Sequence, residues 1–297
     1  MPLFSAHSGE IYFQQQGARA NPPVLLIHGV GCQLVEWPDA LIDALVESGF
    51  RAIVFDHRDV GLSHEVDAEI PSIEDLFSAL SDPLSIQPAY TLEDMANDVI
   101  DLLDYLGQSG AHVIGCSMGG IIAQWCAINH PNRVFTLTSL MATTSNPTLP
   151  KPSENVVAAM ATSLQSGGDD DAIAASIHAA NTNAGPYYPS SEFGIARFIE
   201  TAHARAHRPS GSARQMAAIL TAPDRSELLT ELTMPVLAIH GQADPLIDPS
   251  ASEDIIDNVR NGHLEIIPRL GHDLSEPVIP ELVRMIVKHM TLAQVLR

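Results

Sequence analysis

His112-Val113-Ile114-Gly115-Cys116-Ser117-Met118-Gly119 is the stretch that decides the fold. Residues 112–114 carry the β-branched pair Val113-Ile114, and the residues from Met118 to Asn129 are uninterrupted by proline, so the segment reads as strand, sharp turn, helix. A Gly-x-Ser-x-Gly in that setting is a nucleophile elbow. The glycines let the chain turn tightly, the serine takes a strained backbone, and its hydroxyl projects at the carboxyl edge of a sheet. The amino end of the helix behind it favours negative charge.

Outward from the elbow the same rhythm repeats. Upstream, 24–27 and 51–55 are short apolar runs of the kind buried on both faces of a sheet, and 37–48 between them is a helix with Pro38 near its first turn and Gly49 just past its end. Thr91 caps the next helix with Asp94 three residues on, Leu92, Met95, Ala96, Val99, Leu103 and Leu106 make its apolar stripe, and Gly107 stops it. Downstream, 134–141, 236–240 and 264–267 read as strands, with helices at 252–259 and from 280 towards 296. Strands and helices alternating at this spacing predict an α/β protein with a mostly parallel central sheet flanked by helices. The alternation fails in two places. The stretch 65–89, broken by prolines, reads as a long irregular excursion. Segment 146–233, with helical stretches at 156–164 and 172–180 and breaks at Gly167-Gly168 and Gly185-Pro186, reads as a helical cap inserted into a core of 1–145 and 234–297.

Composition bounds what such a protein does. The 297 residues are 45% apolar and 17% charged, enough for a sizeable core. Fifteen Lys and Arg against 36 Asp and Glu leave −21, a field that repels nucleic-acid backbones and anionic membrane surfaces. No apolar run reaches the roughly 18 residues of a membrane span, and the first 16 residues lack a basic start and an apolar h-region, so a cytoplasmic protein is expected. Cys32, Cys116 and Cys126 have neither metal-site spacing nor the number for a disulfide framework, which fits a reducing compartment.

The chemistry gathers around Ser117. His28-Gly29-Val30-Gly31 ends the run 24–27, and a glycine-rich loop there presents the Val30 N–H towards the serine, opposite the Met118 N–H, as an oxyanion pair. Asp244 follows the run 236–240 through Gly241-Gln242-Ala243, and His272 follows 264–267 through Pro268-Arg269-Leu270-Gly271. Nucleophile, acid and base thus come in the order Ser117, Asp244, His272, each just past a strand's carboxyl end.

These motifs, HGVG, GCSMGG, HGQADP and GHD, resemble those of the α/β-hydrolase fold family over nearly the whole chain. With Asp56-His57-Arg58-Asp59-Val60-Gly61-Leu62-Ser63 and Trp37-Pro38-Asp39 the chain is more narrowly similar to the aclacinomycin methylesterase type of carboxylic-ester hydrolase. The wider family often has a glycine where Asp59 stands. The resemblance implies that Ser117 attacks an acyl carbonyl, His272 shuttles the proton, Asp244 orients the imidazole, and a water cleaves the acyl-enzyme, with neither cofactor nor metal. The expected substrate is a small to medium uncharged ester. Perhydrolase or haloperoxidase-like chemistry, carbon–carbon bond hydrolysis and acyl transfer use the same triad, and a non-catalytic ligand receptor could keep the same fold.

Other residues admit competing readings. Asp248, four residues past Asp244, is the rival acid but precedes Pro249 and suits a helix cap. His28 and His240 read as hydrogen-bonded structural imidazoles, and Cys116 as a small buried hydrophobe. His203 and His207 sit at i,i+4, which a metal pair or a solvated helix face explains. Arg58 and Asp56 read as a network pinning loops beneath the oxyanion pair. Asp169, Asp170 and Asp171 read as a solvated helix start, and Tyr187, Tyr188 and Phe193 as cap core or pocket wall. Arg197, Arg205 and Arg208 are the cations that would make the site mouth locally basic.

Overall fold

The computed structural model describes residues 3–165, 169–184 and 192–295. Eight strands form one sheet: β1 (Leu3–Ala6), β2 (Gly9–Gln16), β3 (Pro23–Ile27), β4 (Arg51–Phe55), β5 (Ala111–Cys116), β6 (Val134–Leu140), β7 (Val236–Gly241) and β8 (Gly262–Ile267). Their spatial order is β1-β2-β4-β3-β5-β6-β7-β8. All pairs from β4 to β8 are parallel, while β1 and β2 form an antiparallel hairpin added at the β4 edge.

Alternation along β3 divides the core. Leu25 and Ile27 face one apolar cluster with α3 (Leu92–Tyr105) and α4 (Met118–Asn129), whereas Val24 and Leu26 face another with α1 (Asp39–Glu47) and α11 (Ile279–Val295). Buried on both faces, β3 has no room for a polar side chain, which is why it reads as a continuous apolar run. The box at the start of α3 is formed as its sequence predicts: the Asp94 N–H donates to Thr91 Oγ1 at 3.0 Å and the Thr91 N–H to Asp94 Oδ2 at 2.8 Å.

The excursion at 65–89 is more regular than its prolines suggest. It contains α2 (Ile73–Ser81), opened by a Ser72/Asp75 capping box. Segment 146–233 contributes α5 (Glu154–Gln165), α6 (Asp169–Ala184), α7 (Glu192–Arg205), α8 (Pro209–Leu220) and the short α9 (Ser226–Leu229), and α10 (Ser250–Asp257) lies between β7 and β8. Asp170 and Asp171 are exposed near the start of α6. The breaks at Gly167-Gly168 and Gly185-Pro186, Tyr187, Tyr188 and the side chain of Phe193 lie outside the described residues. No helix among the described residues is long and apolar enough to cross a membrane. Strand order reverses beside β3, between β4 and β5, so the crevice at the carboxyl ends of β3 and β5 is where an open α/β sheet places a site.

Candidate active site

Ser117 occupies that crevice at the end of β5. Its φ of 55° and ψ of −121° lie outside the ordinary regions for a non-glycine residue, and its N–H is held by the Leu140 carbonyl at 2.9 Å. The flanking glycines are required by contact. A Cβ on Gly115 would stand 2.1 Å from the Gly119 carbonyl oxygen, and one on Gly119 would stand 1.9 Å from that of Ile27. Cys116, one position before the apex, points into the protein, and burial pushes its thiol up to about 12, so it holds its proton.

The loop after β3 lies against Ser117. A Cβ on Gly29 would be 3.6 Å from Ser117 Cβ. The Gly29 N–H donates to Nδ1 of His28 at 2.7 Å, the His28 carbonyl accepts from His57 Nε2 at 3.0 Å, and the His28 ring packs on Trp37. Burial lowers His28 to about 4, so a neutral, structural imidazole stiffens this loop. On either side of Val30 the Gly29 and Gly31 amides are tied, the latter to Gln215 Oε1 at 2.8 Å.

Asp244 and His272 come together across the β7 and β8 loops. His272 Nδ1 donates to Asp244 Oδ2 at 2.7 Å. Asp244 Oδ1 accepts the Leu246 and Ile247 amides, both at 2.9 Å. His240 donates from Nε2 to the same Oδ2 at 3.1 Å and to the Ile247 carbonyl at 2.9 Å, and its Nδ1 meets Ser252 Oγ at 2.7 Å. Both partners of Nε2 are acceptors, so that nitrogen carries a proton. Burial alone raises the Asp244 carboxyl, but the His272 charge and the bonds from His240 and His272 outweigh it and hold it well below the usual carboxylate range. Asp248 is elsewhere: its carboxylate takes the Ser250 N–H at 3.0 Å and the Ser250 hydroxyl at 2.6 Å, at the start of α10.

The charged loop after β4 departs in part from its sequence reading. Asp56 braces the loop after β3, accepting the Leu34 N–H at 2.9 Å and pairing with Arg205 at 2.6 Å. Arg58 instead turns to α3, where it binds Asp98 at 2.7 Å, because Asp98 is otherwise a buried, uncompensated charge. His203 and His207 stack with ring centroids 3.9 Å apart, His207 exposed just past the end of α7. Arg205 and Arg208 are turned inward, to Asp56 and to the Ser63 carbonyl. Sequence reasoning missed Arg214 and Gln215, whose partners lie some 150 residues or more away in the chain.

Comparison with known proteins adds relatives to this geometry. The alpha/beta hydrolase fold family matches residues 22–276. Rhodomycin D methylesterase DauP of Streptomyces sp. (strain C5) is 27% identical over 304 residues, covering 94% of each chain. The 3-oxoadipate enol-lactonase 1 of Acinetobacter baylyi is 23% identical over 86% of this chain and 83% of its own. Among solved structures, the enol-lactonase from Burkholderia xenovorans LB400 superposes with a TM-score of 0.76 at 19% identity, covering 98% of this chain and 100% of that one.

Proposed function

The chain belongs to the α/β-hydrolase fold family, and on that premise we propose that it is a serine carboxylic-ester hydrolase with Ser117 as nucleophile, His272 as general base and acid, and Asp244 as the group that orients the imidazole. The observation that carries the reading is the bond from His272 Nδ1 to Asp244 Oδ2, which fixes the tautomer and leaves Nε2 to take the Ser117 proton. Ser117 Oγ attacks the acyl carbonyl, and the Val30 and Met118 amides stabilise the oxyanion, each contributing about 3 kcal/mol to the barrier. His272 returns the proton to the leaving alcohol, and a water deprotonated by the same nitrogen releases the acid. Segment 146–233 serves as the cap over a core of 1–145 and 234–297.

The substrate is a small to medium uncharged ester. Support comes from the net charge of −21 and from the inward engagement of Arg205 and Arg208, two of the three cations that would make the mouth basic, Arg197 being exposed. Relatives named as methylesterases point the same way. Three free cysteines suit work in the cytoplasm. The test is labelling by a fluorophosphonate together with turnover of p-nitrophenyl acetate. In Ser117→Ala labelling disappears and turnover falls by several orders of magnitude with the fold unchanged by circular dichroism. Labelling that survives in Ser117→Ala and vanishes in Cys116→Ala overturns the assignment.

A further inference from the structure

The loop that bears Val30 is held from outside the sheet. Helix α8 approaches it closely enough that a Cβ on Gly31 would stand 2.7 Å from Ser212 Oγ, and a Cβ on Gly211 would stand 2.1 Å from the Asp59 carbonyl. Between these contacts lies Gln215, a side chain with no solvent exposure. Its Oε1 accepts the Gly31 N–H at 2.8 Å and its Nε2 donates to the Arg58 carbonyl at 3.0 Å. One carboxamide therefore bridges the loop after β3 to the loop after β4.

Gly31 has a φ of 69°, a left-handed conformation, and its N–H points towards α8. The peptide plane carrying that N–H also carries the Val30 carbonyl, so fixing it fixes one side of Val30, while the His28 ring fixes the Gly29 amide on the other. Val30's own N–H lies between these two anchors. A buried carboxamide that satisfies two backbone groups at once resists rotation, since turning either plane leaves a polar group unpaired.

We propose that Gln215 is a positioning residue for the oxyanion pair: from the inserted segment it holds Gly31 and the Arg58 carbonyl so that the Val30 N–H stays aimed at the oxygen developing beside Ser117. This rests on the reading of Ser117 as nucleophile and adds to it the residue that orients its first oxyanion donor. A donor displaced by a fraction of an ångström weakens stabilisation of the transition state much more than it weakens binding of the neutral ester.

The experiment compares the full-length wild type with Gln215→Leu and Gln215→Glu, using p-nitrophenyl acetate and a fluorophosphonate, with rates expressed per labelled Ser117 so that unfolded protein does not count. Gln215→Leu removes both bonds. Its kcat falls about 10- to 100-fold with KM within about twofold, and the labelling rate falls in proportion. Gln215→Glu keeps the role testable if the leucine variant does not fold. Its protonated carboxyl matches the carboxamide, whereas the ionised form sets a negative oxygen against the Arg58 carbonyl, so its kcat gains a limb that falls with rising pH and that wild type lacks. A folded Gln215→Leu with wild-type kcat, a change confined to KM, or a glutamate variant with the wild-type pH profile overturns the proposal. Wild type that fails to label, or Ser117→Ala that still turns over, overturns the nucleophile reading instead, and the two failures are therefore distinguishable.

Discussion

The proposed base and oxyanion sides of Ser117 are held in different ways. On the base side, Asp244 is satisfied by groups from a short stretch of chain: the amides of Leu246 and Ile247, the ring of His240, and His272 on the next loop. On the oxyanion side, the loops after β3 and β4 are completed by a helix from the insertion. Arg214 binds Asp59 through Nε at 2.9 Å and Nη2 at 2.8 Å, Gln215 holds Gly31, and Arg205 pairs with Asp56. The Asp244 carboxylate is satisfied by the loops after β7 and β8 alone, whereas the oxyanion side depends on long-range partners. The inserted segment is accordingly uneven: the α6 end meets the base side through the Asn183 carbonyl, which accepts the His272 N–H at 2.8 Å, whereas α8 is built into the oxyanion side through buried charges.

The largest expected effect lies on the base side. Asp244→Asn loses the acceptor that fixes the imidazole, and kcat for p-nitrophenyl acetate falls by about four orders of magnitude while the melting temperature changes little by comparison. Asp248→Asn, whose carboxylate binds the Ser250 N–H and hydroxyl, stays near wild type in kcat. A reversal of that order moves the acid to Asp248 and ends the claim that the acid is held by the loops after β7 and β8 alone.

On the oxyanion side the leading effect is on stability. Asp59 has a φ of 70°, where glycine is at ease and an aspartate is not. Its carboxylate nevertheless takes Arg214 twice, the Tyr90 hydroxyl at 2.7 Å and the Val66 N–H at 2.8 Å. Arg214→Met leaves this carboxylate buried without its cation and costs about 3–5 kcal/mol, whereas the same change at exposed Arg197 costs under about 0.5 kcal/mol. Pairing Arg214→Met with Asp59→Gly recovers much of the loss, because the charge and the backbone strain leave together. Denaturant melts of the single and double variants measure this; additive losses break the picture of a coupled clamp.

The same contrast explains what the sequence made legible. Ser117, Asp244 and His272 each follow a strand and a glycine turn, so local pattern alone located them, and Thr91 with Asp94 announced α3 just as directly. Gln215 carries no such mark. Its role arises from a contact across 184 residues, and periodicity along one helix says nothing of what that helix meets. One long-range feature did leave a trace: Asp59, standing where the family often has glycine, is the position whose left-handed backbone and buried partner make the clamp. The helix at Ile73–Ser81 was hidden for a different reason, since the prolines around it outweighed the Ser72/Asp75 box that starts it.

Acid and base titrations sharpen the comparison on the oxyanion side, because two carboxyls there are shifted in opposite senses. Burial raises Asp59, but Arg214, Val66 and Tyr90 hydrogen-bond the charged form and leave it below its ordinary value. Such a group adds stability above its unfolded pKa of about 3.9 and loses it as pH falls through the folded value. Glu36, in the turn Leu34–Glu36 beside Asp56, is raised to about 7 by burial, with the Gln33 N–H at 2.6 Å opposing, the Asp56 charge adding and the Arg205 charge opposing. The folded state then binds this proton more tightly than the unfolded chain does, so stability declines as pH rises from about 4.3 to 7 and levels beyond. Glu36→Gln keeps an acceptor for the Gln33 amide and removes the titration. Its melting temperature should equal that of wild type near pH 4 and exceed it at pH 8, a gap that opens only across the interval in which Glu36 loses its proton. Melting curves that run parallel at every pH would place Glu36 in solvent and detach it from the loop that Asp56 and Arg205 hold.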